Sequence, residues 1–151
     1  MKQLYLCAAA MLLMTCPLLA QSKPTAFNPV WPPTEPVPPV WQEWCRFVPT
    51  STFEDPWIDA CRSLVLVDVQ SWPAASRAHA HETTREFYGP SLDLYVAFAD
   101  PQPHREWLLC DGFGPVARHG LMTWNGRLWS PDGRLVATGE GQLLCRRLPG
   151  S

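Results

Sequence analysis

The chain has 151 residues, a formal net charge of -2, 46% hydrophobic and 17% charged side chains. That length allows one domain, or one domain with a tail, and excludes a TIM barrel or a two-domain dinucleotide enzyme. The charge content excludes an acidic disordered chain, and apart from Arg146-Arg147 the cations are scattered singly, so nothing tracks a phosphate backbone and no nucleic-acid partner is expected.

Residues 1–20 carry Lys2, an apolar run from Leu4 to Met14, Pro17, and Ala20 ahead of the polar Gln21-Ser22-Lys23. This is the layout of a signal peptide cleaved after Ala20. The run is too short for a bilayer span of about 20 residues. A genuine leader implies export to the periplasm or beyond, whereas a misassigned start implies the cytoplasm. Residues 21–40 read as a Pro-rich linker, with seven Pro between positions 24 and 40. Poor in backbone donors, such a stretch favours polyproline II and a spacer role. The folded body is expected at residues 41–148.

Trp41–Val48 alternates loosely and reads as a strand. Glu54-Asp55-Pro56 then supplies acids and a Pro suited to a helix start, and helical spacing continues to about Gln70. On a helical wheel Trp57, Ile58, Cys61, Leu64 and Val65 share one apolar arc of about 100°, with Asp59, Arg62, Ser63 and Gln70 opposite. Pro73 closes the helix. A short strand is expected near Arg77–His81 in an otherwise aperiodic stretch. Strands follow at Ser91–Ala99, Glu106–Asp111, Arg118–Trp129 and Arg134–Arg146. Gly112-Phe113-Gly114-Pro115 reads as a loop, Ser130-Pro131-Asp132-Gly133 as the hairpin turn, and Gly126 as a bulge. One amphipathic helix covering a curled antiparallel sheet is an α+β layer, and the many Trp side chains favour further burial against a partner.

Asp68 is the sharpest chemical signal, because it projects from the apolar arc. A carboxylate facing a core is costly, and desolvation raises its pKa toward the range of a general base; the alternative is a cap on backbone at the helix end. Ser91 and Asp93 open a strand after Gly89-Pro90, where turn-type backbone bonds are common. Gln142, in an apolar final strand, is either a satisfied core amide or part of a site. His79-Ala80-His81 lacks a third ligand and no close Cys pair exists, so no metal is expected. Cys45, Cys61, Cys110 and Cys145 fit either disulfides in an exported chain or free buried thiols. No nucleophile elbow, P-loop or dinucleotide fingerprint is present, and no cofactor is expected.

The stretches YGPSLDLYVAF (88–98), EWLL (106–109), LWSPDGRLVAT (128–138), CRR (145–147) and the helix segment DPWIDACRSLVLVDVQSWPAA (55–75) resemble the C-terminal hotdog domain of the acyl-CoA thioesterase II (TesB-like) family. The resemblance implies a single hotdog domain over residues 41–148, with a long central helix on a curled antiparallel sheet. It also implies hydrolysis of an acyl-CoA or related acyl thioester by water held by an Asp, a hydroxyl and a Gln amide. By position these are Asp68, Ser91 and Gln142; the family's Gln register falls on Gly141, so Gln142 reaches the site only if a bulge at Gly139–Gly141 shifts it. Family members usually carry two fused hotdog domains, which implies a homodimer or a second hotdog domain as partner. The alternative is a catalytically silent exported module, for ligand binding or dimerisation, or the remnant of a double-hotdog enzyme.

Overall fold

The structure, a computed structural model, describes residues 20–24, 33–48, 53–79, 86–100 and 107–148. Apart from Ala20, the expected signal peptide lies outside the described residues. The elements in chain order are β1 (Ala20–Pro24), β2 (Val40–Phe47), α1 (Pro56–Val69), α2 (Ser71–Ser76), a 3-10 turn (Arg77–His79), β3 (Phe87–Tyr88), β4 (Tyr95–Phe98), β5 (Leu108–Arg118), β6 (Leu121–Trp129), β7 (Leu135–Leu144) and β8 (Arg146–Arg147). Six strands form one antiparallel sheet in the order β1-β2-β5-β6-β7-β4, and β3 pairs separately with β8. Helices α1 and α2 pack against the sheet. This is the α+β helix-on-sheet architecture that the resemblance implies.

The start of α1 follows from its sequence. Asp55 Oδ1 accepts hydrogen bonds from the backbone N–H of Trp57 at 2.8 Å and of Ile58 at 3.4 Å, and Pro56 occupies the first turn, where no donor is missed. The helix ends where its spacing predicts, at Val69 with Gln70 as its cap, but Pro73 does not close it: Pro73 falls in the first turn of α2, where its lack of an N–H costs nothing. Residues 77–79 form a 3-10 turn instead of the expected strand, and His81 lies outside the described residues.

The buried face of α1 is also not the one its wheel indicates. Trp57 is 77% and Ile58 51% exposed, and Cys61 faces solvent, while Asp59, Leu66, Val67 and Asp68 are buried. Asp59 is tolerated there because it forms a two-point ion pair with Arg62 (3.0 and 2.8 Å) and accepts the Phe53 N–H at 2.8 Å.

Three further differences concern the strands. β1 adds an edge to β2, from Ala20↔Phe47 to Pro24↔Glu43, inside the region expected to be leader and linker. Its backbone donors precede the densest Pro run, and Lys23 Nζ sits 4.1 Å from the centroid of the Trp107 ring. Gly112–Pro115 belongs to β5, not to a loop; the register shifts between Phe113 and Val116, which accommodates Pro115 in the strand. The Ser91–Ala99 segment is a strand only over Tyr95–Phe98, with Ser91 forming an isolated bridge to Leu143.

The hairpin turns are of two kinds. Ser130–Gly133 turns as expected, with the Gly133 N–H bonded to Ser130 O at 2.9 Å and Gly133 at φ 82°. A tighter turn at His119-Gly120 (φ 53° and 77°) joins β5 to β6. Gly126 is not a bulge: it pairs regularly with Gly112, and the irregularity falls between Leu128 and Trp129. The core between helices and sheet gathers Leu66, Val67, Cys45, Cys110, Trp124, Leu128, Val136 and Leu143. Burying an aliphatic side chain of this kind stabilises by about 1.5–3 kcal/mol.

Candidate active site

Asp68 occupies the last turn of α1 and is 6% exposed. Its Oδ1 accepts a hydrogen bond from Ser91 Oγ at 3.2 Å. Burial pushes the Asp68 carboxyl above its ordinary value, and the Ser91 hydroxyl opposes part of that rise by stabilising the anion. The pair therefore combines a proton acceptor stronger than a solvated carboxylate with an oriented hydroxyl.

The Ser91 segment is stitched to β7 by backbone. Leu144 N–H donates to Pro90 O at 3.0 Å, Leu92 N–H donates to Gln142 O at 2.8 Å, and Ser91 bridges to Leu143. Asp93 serves this stitching: its Oδ1 accepts the Gln142 N–H at 2.7 Å. That bond joins segments 49 residues apart in sequence, so it is not the local turn-type bond expected at this position.

Gln142 is not brought to this pair. The β6–β7 register runs unbroken from Arg127↔Thr138 to Leu121↔Leu144, so no bulge at Gly139–Gly141 shifts it. Period-two alternation then sets the faces. A Cβ at Gly139 would meet Val67 of α1, one at Gly141 would meet Trp124, and Leu143 is fully buried, so positions 139, 141 and 143 face the helices. Gln142 faces the other way and is exposed.

Two polar groups escaped the sequence reading. Trp124, in β6 opposite Gly141, is 1% exposed, and its indole Nε1 has no hydrogen-bond partner. Gln70, just past Asp68, is 1% exposed; its amide is unpartnered and lies where side chains at Gly112 and Gly126 would stand. A Trp at an inward strand position reads simply as core, and Gln70 fell on the presumed solvent side of the wheel. The available signal was the Gly112 and Gly126 pair, which leaves room for a side chain lying flat on the sheet.

The opposite face of the sheet is polar. Asp111 there accepts from Gln42 Nε2 at 3.0 Å and pairs with Arg127 at 3.2 Å. A cavity of about 390 Å³ lined by Tyr95, Asn125, Arg127, Thr138 and Glu140 opens on that face and includes neither Asp68 nor Ser91. The four described cysteines are free. Cys110 Sγ donates to Leu66 O at 3.5 Å, and its contact with Cys45, together with burial, pushes its thiol well up, so it is no nucleophile.

A sequence profile described as the acyl-CoA thioesterase C-terminal domain matches residues 16–144. Among solved structures, the chain is similar to acyl-CoA thioesterase II TesB2 of Mycobacterium marinum (24% identity, TM-score 0.66, 87% of this chain and 50% of that one). It is also similar to a tesB protein of Mycobacterium avium subspecies paratuberculosis (18% identity, TM-score 0.65, 85% and 48%). A third is a hot dog fold protein of unknown function from Alicyclobacillus acidocaldarius (20% identity, TM-score 0.58, 84% and 44%). The chain thus spans about half the length of these solved relatives. No curated protein matches it.

Proposed function

Because the chain belongs to the acyl-CoA thioesterase C-terminal-domain family, we propose that it hydrolyses an acyl-CoA or a closely related acyl thioester, with Asp68 as general base. The observation that carries this reading is the buried Asp68 carboxylate bonded to the Ser91 hydroxyl at 3.2 Å. Asp68 takes a proton from a water, whose oxygen attacks the thioester carbonyl carbon. The C–S bond then breaks, the thiol half receives the proton from Asp68, and the carboxylic acid leaves. Ser91 donates to Asp68 and orients the same water through its free lone pairs. Gln142 has no part in this sequence, since its amide lies on the far face.

A partner supplies the rest of the pocket: a second copy of the chain, or a second hotdog domain. The exposed stripe of α1, with Trp57 at 77% and Ile58 at 51% exposure, supports this, because an apolar face of that size is usually covered. Export, if the leader is removed, changes which thioesters the protein meets but not the chemistry.

The test is turnover of acyl-CoAs of several chain lengths by the purified chain and by Asp68→Asn. A loss of at least about 100-fold in kcat is expected for the variant, the scale of a removed general base. The absence of the Gln142 amide from the site favours a second reading, a silent ligand-binding module. Acyl chains that co-purify without being turned over would decide for it.

A further inference from the structure

We infer that Trp72 is a positioning residue for Ser91, bracing from the helix side the segment that carries this hydroxyl; the inference rests on the hydrolase reading above and deepens it. The ring and the segment meet at Gly89. A Cβ at that buried glycine would collide with Cε3 and Cζ3 of Trp72, and Cδ2 stands 3.4 Å from the same point. Only a residue without a side chain lets the ring approach the backbone this closely. Trp72 is itself half-buried and packed against the core between helices and sheet, so the ring has a firm backing.

The contact at Gly89 reaches Ser91 because little between them can bend. Pro90 is the one intervening residue; its ring fixes its own φ and narrows the choices of the residue before it. On the other side the segment is fastened to β7, by Leu144 N–H to Pro90 O at 3.0 Å and Leu92 N–H to Gln142 O at 2.8 Å. The position of Trp72 is in turn tied to the base. Asp68 and Trp72 stand four residues apart across the junction of α1 and α2, where Gln70 N–H donates to Asp68 O and Ala74 N–H donates to Gln70 O at 3.0 Å. Ser76 Oγ donates to Trp72 O at 2.6 Å. One end of this frame is the contact of Trp72 with Gly89, and the other is the 3.2 Å bond from Ser91 Oγ to Asp68 Oδ1. A shift at the first end displaces the second, and misplacing a reacting group by about 1 Å costs up to about 100-fold in rate.

A double-mutant cycle on kcat for octanoyl-CoA, in the full chain, tests this. Trp72→Leu keeps an apolar side chain in the core but withdraws the ring edge from Gly89. We expect kcat to fall about fivefold, less than for Ser91→Ala, with KM nearly unchanged. In a Ser91→Ala background the same substitution should change kcat by less than about twofold, because the hydroxyl it positions is gone. An equal fall in both backgrounds marks a merely structural loss and overturns the inference, as does an unchanged kcat when Ser91 is present. If Trp72→Leu fails to fold, Gly89→Ala probes the contact from the other side and leaves the core side chains as they are; the same two backgrounds and the same criterion decide. Asp68→Asn in the same assay keeps the two claims apart. No turnover by the unmodified chain, or equal turnover by Asp68→Asn, defeats the hydrolase reading and this inference with it, whereas dependence on Asp68 without coupling between Trp72 and Ser91 defeats the role of Trp72 alone.

Discussion

In the proposed reaction Asp68 and Ser91 carry the chemistry, and each makes a distinct prediction. The carboxyl of Asp68 is raised by burial, so its protonated form suits the folded state better than the charged one. Its contribution to stability is therefore largest below the ordinary carboxylate range and is lost as pH rises through the raised folded value. Asp68→Asn should accordingly melt higher than the unmodified chain at neutral pH, and the difference should vanish in acid; thermal melts across pH measure this. Ser91→Ala removes the bond that favours the anion, so the acidic limb of the rate profile should move to higher pH while kcat falls about tenfold or more. A profile that stays in place would show that the 3.2 Å contact does not govern the base. Both residues were legible in the sequence, Asp68 as an acid among apolar neighbours and Ser91 as the hydroxyl in the matching segment. The lack of a Gln142 contact was undecided there, because only strand register shows which face a side chain takes.

At the scale of elements, caps and turns were the readable part. Asp55, Pro56 and Gly133 act locally, within four residues of the bonds they make, and appear where their chemistry demands. Asp55→Ala should destabilise the fold by about 1 kcal/mol in chemical denaturation, with no change in the pH profile of turnover. Close approach between elements was not readable in the same way. Gly114 lies in β5 where α2 rests: a Cβ there would stand 2.6 Å from Ala74 O and Ala75 Cα, both backbone atoms that cannot swing aside. Gly114→Ala should cost on the order of 1–3 kcal/mol, the scale of overpacking. From the sequence alone Gly112–Pro115 looks like a loop, because two Gly and a Pro signal chain reversal. The shift in register between Phe113 and Val116 absorbs the Pro without leaving the sheet.

For the whole molecule, the misread face of α1 is the informative discrepancy. A helical wheel identifies an apolar stripe but not what covers it, and it was assigned to the chain's own sheet. In the structure Trp57, Ile58 and Cys61 face outward, while the buried Asp59 is held by its ion pair with Arg62 and the Phe53 N–H. A stripe belonging to a contact between copies or domains gives this pattern. The purified chain should sediment as a dimer, and Trp57→Glu with Ile58→Glu should yield a monomer with reduced turnover but intact secondary structure. β1, pairing within the expected linker, likewise shows that Pro density marks where a strand must stop, not that none precedes it.

The rate of octanoyl-CoA hydrolysis against pH, recorded for the unmodified chain and for Asp68→Asn, probes the buried base most directly. The unmodified chain should show a rate that climbs through a pKa above the ordinary carboxylate range, and the variant should lack that limb and run at least about 100-fold slower. Superimposable profiles, or no hydrolysis by the unmodified chain at any pH, would contradict the account.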